Sequence, residues 1–385
     1  MSNGRVLDLR GRVVTGAGVI EDAVITVQGE RVAAVRSATD WVAAHRELPP
    51  EFSGTVLPGL VDIHNHGGFG HRFDTVDGGE ARAAAAFHHR QGSTSVLAGI
   101  VTAPPDDMVA QVAVLRELAV EGVIAGIHAE GPFLSRTRCG AHDPSLLIDP
   151  DPALVDRLLK AADDHLCVVT MAPERTGFTD AARRFADAGV VVAVGHSDAD
   201  FAEFRSALGP NGCATLITHI GNGMPPLHHR APGPVAAGLV AAAERQAFVE
   251  LIGDGVHVES GFGTFVFATV PGQVILITDA MQAAGMPDGE YRLGPQTVTV
   301  TDGVARVPGG SIAGGTSTLL HCLRWAVHEC GLPLTEAVAA ATSIPAAVVG
   351  LPDVGDLRPG MFADAVVVDD DLRLVRVLRR GRWLA

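Results

Sequence analysis

Two histidines separated by one residue stand at the end of a short apolar segment, "VDIHNHG", at residues 61–67. If this segment is a β-strand, positions i and i+2 face the same side, so His64 and His66 could reach one metal ion. Taken alone, this pair is a weak signal, because many histidines have structural roles. It becomes informative if the fold brings further ligand-type side chains to the same place.

Further histidines and carboxylates end other apolar, β-branched segments of the chain. These groups are Glu130, His196, His219 and Asp279. Either histidine alone could be a hydrogen-bonded core or loop residue. Together with the first pair they make four imidazoles and two carboxylates, which are ligands that zinc and similar divalent ions use. The set predicts a site for one or two divalent ions per subunit, with zinc as the first expectation.

The segments that carry these groups alternate with alanine- and leucine-rich segments of helical spacing. Eight such apolar segments occur: "GLVDIHNHG", "STSVLAGIVT", "GVIAGIHAEGPF", "CVVTMAPE", "VVVAVGHSD", "ATLITHIGNG", "AFVELIGDGVHV" and "QVILITDAM". Eight strand–helix alternations predict an α/β fold, a (β/α)8 barrel of the TIM type. A doubly wound open sheet is the alternative, although no G-x-G-x-x-G turn follows the first segment. In a barrel, the carboxyl ends of all strands converge on one face, where active sites lie.

The two ends of the chain have a different texture from the middle. Short strand-like segments fill residues 1–57, and "DAVVVDDDLRLVRVLRRGRWL" near the carboxyl end repeats this pattern. We therefore expect residues 1–57 and 355–385 to form one small β-sandwich domain, and residues 58–354 to form the catalytic barrel.

The barrel position suggests roles for the two carboxylates. Some barrel hydrolases bridge two ions with a carboxylated lysine, but the only lysine, Lys160, lies in the helix-like segment "ALVDRLLK". Glu130 is therefore the candidate bridge. Asp279, in "LITDAM", could be a helix cap or a structural carboxylate. Beside a metal-activated water it could instead act as a general base and then as a general acid, which we favour.

Two polar loops follow the predicted strands. The segment 131–144, "GPFLSRTRCGAHDP", is long enough to cover the site and contains His142. The segment 221–233, "GNGMPPLHHRAPG", combines small residues with Arg230, which suits an oxyanion or a phosphate. An ordinary Pro/Gly loop is the alternative interpretation of the second segment.

Composition limits the kind of partner. The formal net charge of −15 argues against general binding to nucleic acid or anionic membranes. The five cysteines are scattered without a C-x-x-C pair, as is typical of reduced thiols. No apolar run approaches the roughly 20 residues of a membrane span, and the amino terminus lacks the apolar core of a signal peptide. We expect a soluble cytoplasmic protein.

These segments, in this order, make the chain similar to the N-acetylglucosamine-6-phosphate deacetylases of the amidohydrolase superfamily. The similarity covers essentially the whole chain. It is carried by "LPGLVDIHNHG", "GIHAEGPF", "GAHDP", "GHSDAD", "THIGNGMPP", "RAPG", "GDGVHV", "LITDAM", "IAGGTSTL" and "ATSIPAAVVGL". The resemblance implies a metal-dependent hydrolase that releases acetate from N-acetylglucosamine 6-phosphate, and a site completed across a homodimer.

The resemblance also implies a role for each site residue. Glu130, His196 and His219 would bind the main metal ion, and His64 with His66 would hold a second one. Asp279 would activate water and protonate the leaving amine, while His142 would polarise the acetyl carbonyl. The sugar phosphate would be contacted by Asn222, Gly223, Arg230 and His257.

Two departures from the family pattern leave the exact sugar open. Relatives usually have "NAM" where this chain has Asn222-Gly223-Met224, and "REPG" where it has 230–233, "RAPG". The first change removes a methyl group, and the second removes a carboxylate beside Arg230. A related amidohydrolase acting on another amino sugar, such as N-acetylgalactosamine 6-phosphate, is the nearest alternative. A catalytically silent sugar-phosphate-binding regulator is a more distant one, which the complete ligand set disfavours.

Overall fold

The amino-terminal part of the chain is a mixed β-sheet with one helix. The computed structural model describes residues 6–45, 47–210 and 212–385. Its first elements are β1 (Val6–Thr15), β2 (Gly18–Gln28), β3 (Arg31–Ser37), α1 (Ala38–His45) and β4 (Glu51–Pro58). Strands β1, β2 and β3 pair antiparallel in sequence, whereas β4 lies parallel to β1.

Eight parallel strands follow and form the centre of the molecule. This region contains these eight strands and a small hairpin. In chain order its strands are β5 (Val61–Asp62), β6 (Gly67–Gly68), β7 (His71–Arg72), β8 (Ser95–Ile100), β9 (Gly126–Glu130), β10 (Leu166–Met171), β11 (Val191–Val194), β12 (Ala214–Ile217), β13 (Phe248–Ile252) and β14 (Val274–Ile277). Strands β6 and β7 make a small hairpin, and the other eight form one sheet in the order β14-β13-β12-β11-β10-β9-β8-β5. All eight predicted segments are therefore strands of one sheet.

The first and last strands of this sheet meet, so the sheet closes into a barrel. The Asp279 backbone N–H donates to the His64 carbonyl at 2.9 Å, just beyond the ends of β14 and β5. Thr278 Oγ1 donates to Asp62 Oδ2 at 2.7 Å across the same seam. The prediction of a (β/α)8 barrel is confirmed, and the open-sheet alternative is wrong.

Helices between the strands cover the outside of the barrel. They are α2 (Gly78–Arg90), α3 (Pro105–Val120), α4 (Pro152–Ala162), α5 (Phe178–Asp187), α6 (Phe201–Ala207), α7 (Gly233–Ala243) and α8 (Ser260–Thr269). Asp77, Asp151 and Asp200 cap the starts of α2, α4 and α6 by accepting backbone N–H groups. Helix α5 buries residues three and four positions apart against the sheet, which is the spacing of an amphipathic helix: Phe178, Ala181, Ala182 and Phe185.

A small sheet and three helices lie between the last barrel strand and the carboxyl-terminal strands. The sheet contains β15 (Gly289–Leu293), β16 (Gln296–Thr301) and β17 (Val304–Arg306), and the helices are α9 (Leu319–His328), α10 (Leu334–Ala341) and α11 (Ser343–Val348). The sequence analysis did not predict this three-stranded sheet. Among the described helices, none has the length and apolar character needed to cross a bilayer.

Both ends of the chain contribute to one sheet. Strands β18 (Ala365–Val368), β19 (Leu374–Arg379) and β20 (Arg382–Trp383) extend it to seven strands in the order β20-β19-β18-β4-β1-β2-β3. Its buried side includes Ile25, Val56, Val367 and Leu378, which pack in a core of their own. As expected, the two ends of the chain come together, and they form one continuous hydrogen-bonded sheet. The domain boundaries at 57/58 and 354/355 stay a prediction.

The terminal sheet is attached to the barrel end that lies away from the carboxyl ends of its strands. Arg379, at the end of β19, donates from Nε to the Thr94 carbonyl at 2.9 Å. Its Nη2 donates to the Gly122 carbonyl at 2.9 Å. These carbonyls lie just before β8 and in the turn that leads to β9, so Arg379 braces two barrel loops at once.

Candidate active site

The six predicted ligand residues meet at the carboxyl ends of the barrel strands, and all six are buried. His64 and His66 follow β5, and Glu130 is the last residue of β9. His196, His219 and Asp279 lie two residues beyond β11, β12 and β14. Parallel strands of a barrel deliver their carboxyl ends to one face, and this explains how residues so distant in sequence come together.

Glu130 lies at the centre of the cluster. Its Oε1 is 3.0 Å from His219 Nε2 and 3.2 Å from His196 Nε2. Its Oε2 is 3.3 Å from His66 Nε2 and also 3.3 Å from His142 Nε2. His64 Nε2 also lies 3.5 Å from Oε1, so the two oxygens of Glu130 face different sets of imidazoles.

The potential ligands fall into two groups that share one carboxylate. Glu130, His196 and His219 form the first group, with ligand atoms within 4.8 Å of one another. The second group meets the same limit and contains His64, His66, Glu130 and Asp279. Glu130 belongs to both groups, while its role as a bridge between two ions stays a prediction.

The chemistry of the donor atoms fits a divalent cation. The Nε2 atoms of His196 and His219 are 3.1 Å apart, with the carboxylate of Glu130 beside both. The buried Nε2 atoms of His64 and His66 have no hydrogen-bond partner among the described residues. Buried polar atoms are normally paired, and a cation gives several converging lone pairs a common partner. The residues present therefore fit a metal ion.

The surroundings of both carboxylates of the cluster favour their ionised form despite their burial. Burial opposes the charge on Glu130, but the charge of His64 and hydrogen bonds from the surrounding imidazoles hold its pKa well below the ordinary value. Burial also opposes the charge on Asp279, but the close approach of His66, with Nε2 at 3.1 Å from Asp279 Oδ1, and positive charge on His66 and His64 lower its pKa. The cluster thus supplies two anionic groups to a cation.

Hydrogen bonds on the far side of the rings orient two of the histidines toward Glu130. His64 Nδ1 donates to Glu250 Oε2 at 2.9 Å, and His196 Nδ1 donates to the Arg138 carbonyl at 2.8 Å. In the neutral form of each ring, a proton on Nδ1 leaves the Nε2 lone pair available to a cation beside Glu130. Partners of this kind set the tautomer and the orientation of metal-binding histidines.

His142 has the opposite arrangement. The Thr102 backbone N–H donates to His142 Nδ1 at 3.3 Å, so the ring proton is placed on Nε2, the atom that faces Glu130. Burial first, and then the charges of His196 and His66, lower the pKa of His142. A neutral ring that presents an N–H toward the cluster can donate a hydrogen bond to a developing oxyanion.

Three cluster residues have a left-handed backbone that non-glycine residues rarely adopt. The φ angles are +46° at His196, +23° at His219 and +48° at Asp279. Such strain persists only where the surrounding structure enforces it, and it is concentrated at functional sites. Here it turns each side chain inward directly after its strand.

Two glycines allow the ring of His196 to fit closely between two loops. A β-carbon at Gly140 would lie 2.9 Å from His196 Cε1, and one at Gly223 would lie 2.7 Å from His196 Nδ1. Gly140 belongs to the loop at 131–144, and Gly223 to the loop at 221–233. Gly223, the second glycine of "GNGM", therefore also leaves room for the imidazole ring of His196.

A cavity of about 340 Å³ opens onto the cluster. Four residues predicted to contact substrate line it: His142, Asn222, Gly223 and His257. His257 is held by a hydrogen bond from Nδ1 to Asp254 Oδ2 at 2.7 Å. Residues 311, 312 and 314, which follow β17, form another part of the wall.

Of the residues predicted to contact the sugar phosphate, Arg230 alone lies outside this cavity lining. It borders a neighbouring depression with Asp198 and Pro225, and its Nη1 lies 2.7 Å from His229 Nε2. The structure of one chain therefore does not bring Arg230 to the cluster.

Two residues at the site were missed by the sequence analysis. Arg138 lines the cavity and pairs through Nε with Asp198 Oδ1 at 2.7 Å. Glu250 lies in the middle of β13 and is fully buried. A glutamate inside the apolar segment "AFVELIGDGVHV" was a usable signal, because a buried charge needs compensating partners. Arg138 gave no comparable signal within its polar loop.

Comparisons with known proteins agree with this geometry. The chain matches the amidohydrolase family over residues 55–226 and 232–384. A solved N-acetyl-D-glucosamine-6-phosphate deacetylase from Mycobacterium smegmatis, a mutant in complex with N-acetyl-D-glucosamine-6-phosphate, is 41% identical with a TM-score of 0.93 and covers 99% of each chain.

Curated relatives have similar names. An N-acetylglucosamine-6-phosphate deacetylase from Vibrio furnissii is 33% identical over 96% of this chain and 93% of its own length. An N-acetylgalactosamine-6-phosphate deacetylase from Escherichia coli O157:H7 is also 33% identical, over 96% of this chain and 97% of its own length. The chain therefore belongs to the amidohydrolase family and, within it, to the N-acetylglucosamine-6-phosphate deacetylase family.

Proposed function

We propose that this protein is a metal-dependent hydrolase that converts N-acetylglucosamine 6-phosphate to glucosamine 6-phosphate and acetate. The observation that carries this proposal is the buried convergence of four imidazoles and two carboxylates on a cavity that His142 also lines. Glu130, His196 and His219 would hold one divalent ion, and His64 with His66 would hold a second. We propose zinc as the native metal.

The chain's own residues divide the chemistry between them. A divalent cation at these ligands supplies Lewis-acid activation of water and of the amide carbonyl. Asp279, ionised and facing the cavity, accepts the proton of the attacking water and later delivers it to the leaving amine. The Nε2–H of His142 donates to the carbonyl oxygen as negative charge develops there.

The sugar phosphate would occupy the cavity beyond the cluster. Asn222 and His257 line this wall, and Gly223 lets the backbone approach closely. We propose that Arg230 of a second subunit supplies the fixed cation for the phosphate, so that the working unit is a homodimer. The exposure of Arg230 outside its own chain's cavity supports this arrangement. The free cysteines of the described residues are in keeping with a cytoplasmic location.

N-acetylgalactosamine 6-phosphate is the second candidate substrate. The observation that favours it is the altered pair of loops, with Gly223 in the cavity wall and Ala231 beside Arg230. The similarity to a curated galactosamine-isomer deacetylase points in the same direction.

The test measures acetate release by zinc-loaded protein from three substrates. These are N-acetylglucosamine 6-phosphate, its galactosamine isomer and unphosphorylated N-acetylglucosamine. We expect fast release from the first, slower release from the isomer, and very little from the unphosphorylated sugar. Treatment with a chelator should abolish release, and added zinc should restore it.

Other outcomes would change the assignment. Faster release from the galactosamine isomer would move the assignment to the second candidate. Equal release with and without the phosphate would refute the phosphate site. Tight binding of the sugar phosphate without turnover in metal-loaded protein would instead indicate a regulator.

A further inference from the structure

Glu250 is a carboxylate enclosed in the barrel, where an ionised group is costly. It is 0% exposed and is the third of the five residues of β13, between two buried apolar neighbours. Removing a carboxylate from water costs several kcal/mol unless hydrogen bonds or opposite charges compensate it. Its contacts therefore show what the fold gains by keeping it.

The first contact is with His64. Glu250 Oε2 accepts the Nδ1 proton of His64 at 2.9 Å. The opposite ring atom, Nε2, lies 3.5 Å from Glu130 Oε1 and 3.6 Å from Asp279 Oδ1. The carboxylate thereby fixes both the tautomer of His64 and the direction of its free lone pair.

The second contact reaches the other ligand group. The same Oε2 accepts the backbone N–H of His219 at 3.3 Å. His219 has a φ of +23°, a strained value that points its Nε2 at Glu130 Oε1, 3.0 Å away. One oxygen of Glu250 therefore contacts a member of each of the two groups that share Glu130.

No other described residue compensates the remaining oxygen. Glu250 Oε1 has no hydrogen-bond partner in the described part of the chain. The nearby ring of His128 is already engaged, with Nδ1 at 3.1 Å from the Ile63 carbonyl and Nε2 at 2.9 Å from Thr170 Oγ1. Among the described residues, the hydrogen bonds of the Glu250 side chain thus go to the two ligand groups and not to a separate partner.

We propose that Glu250 is a positioning residue that aligns His64 and His219, and through them both metal-binding groups. The inference rests on the metal site of the proposed function, but it does not depend on the sugar phosphate. Loss of a hydrogen-bond partner behind a metal ligand lowers metal affinity or activity by about 10- to 100-fold in other proteins. We expect an effect of this size here.

The experiment compares Glu250→Gln with Asp364→Asn as a matched control. Both substitutions turn a buried carboxylate into an amide, but Asp364 lies directly before β18, away from the cluster, where it accepts the Arg380 backbone N–H. Zinc affinity is measured by competition with a chromophoric chelator, and the visible spectrum of cobalt-loaded protein reports ligand geometry. We expect Glu250→Gln to bind zinc about 10- to 100-fold more weakly and to change the cobalt spectrum. Asp364→Asn should match the wild type in both.

One further variant, Glu250→Asp, keeps the test decisive. If Glu250→Gln does not fold, Glu250→Asp retains the charge but withdraws the oxygen, and it should also weaken zinc binding. Wild-type affinity and spectrum in the folded Glu250 variant would overturn the inference. Wild-type protein that binds no divalent metal would overturn it together with the metal site, whereas metal-loaded wild type that releases no acetate would refute only the proposed substrate.

Discussion

At the scale of single residues, the position of the ring proton distinguishes histidines suited to bind a metal ion from a histidine suited to donate a hydrogen bond. His64 and His196 carry their proton on Nδ1, where a carboxylate or a carbonyl holds it, and so present lone pairs to the cluster. His142 has Nδ1 occupied by the Thr102 N–H and presents a proton instead. Identical side chains acquire opposite roles because their backbone neighbours differ.

Asp279→Asn tests the proton carrier at this scale. An amide cannot accept the proton of water, so we expect acetate release to fall by about 100- to 10,000-fold. Glu130, His196 and His219 should still bind metal, which is checked by measuring metal content. Asp302→Asn is a matched control, because this exposed aspartate has a similar φ of +51°. Activity near the wild-type level in Asp279→Asn would contradict the assigned role.

The sequence predicted the cluster well because its members share a signal. Each metal-type residue ends an apolar segment, and the geometry of a barrel then brings such ends together. Glu250 was missed because it lies inside a segment and not at its end. Arg230 was expected at the site, yet its position depends on how a loop folds back or on a second subunit, neither of which residue spacing specifies.

At the scale of elements, the cluster depends on segments packed behind it. Helix α2 packs against the hairpin of β6 and β7, which directly follows His66. His88, fully buried on α2, lies with Nε2 at 2.9 Å from the Gly67 carbonyl. Its Nδ1 has no hydrogen-bond partner among the described residues, so a second proton there would be buried without an acceptor.

The burial of His88 predicts a pH dependence of stability. Burial lowers its pKa to about 4, whereas the unfolded chain has the ordinary value of about 6.5. The neutral ring therefore contributes stability that is fully present above pH 6.5 and is lost as the pH falls toward 4. The shift of about 2.5 units corresponds to about 3 kcal/mol of unfolding free energy.

Denaturant unfolding from pH 7 to pH 4 measures this contribution. His88→Gln keeps a side-chain donor but does not titrate, so its unfolding free energy should fall less over this range than that of the wild type. The exposed His321, replaced by Gln, is the control and should leave the wild-type slope unchanged. Equal slopes in His88→Gln and the wild type would show that His88 does not supply the pH dependence.

At the scale of the whole molecule, the terminal sheet stabilises the barrel from the end opposite the site. Arg379 donates to the Thr94 and Gly122 carbonyls, and its Nη2 lies 3.4 Å from the Val123 carbonyl as well. These bonds join β19 to the loops that precede β8 and β9. The termini therefore contribute to stability without contributing any residue to the cluster.

Arg379→Met separates stability from catalysis. The apolar stem is retained, but the carbonyls lose their donors, so we expect a loss of about 1–3 kcal/mol in unfolding free energy. Acetate release at 25 °C should remain near the wild-type rate. Arg382→Met, at an exposed position of β20, is the control and should change neither quantity. A large loss of activity at unchanged stability would show that the terminal sheet affects the site directly.

The part of the fold that could be predicted is the part whose strands and helices have a clear pattern of apolar residues. Apolar, β-branched segments such as "VILITDAM" specify barrel strands, because a parallel strand is covered on both faces. The three-stranded sheet of β15–β17 escaped because its strands are half-exposed and two of them are joined by a short glycine turn within "LGPQTVTV". Residues 311, 312 and 314, which directly follow this sheet, line the cavity. The sequence analysis therefore missed a part of the structure that lies next to the proposed substrate-binding region.

The close fit of His196 between Gly140 and Gly223 has a kinetic consequence. A β-carbon on either glycine would lie within 3 Å of the ring, so the two loops flank it closely, and we expect its movement away from Glu130 to require displacement of a loop. Movements of these two loops would then control both the exchange of a bound metal ion and the entry of substrate into the cavity. A bound cation would be retained kinetically for as long as the loops stay closed, and its lifetime in the protein would report how often they open.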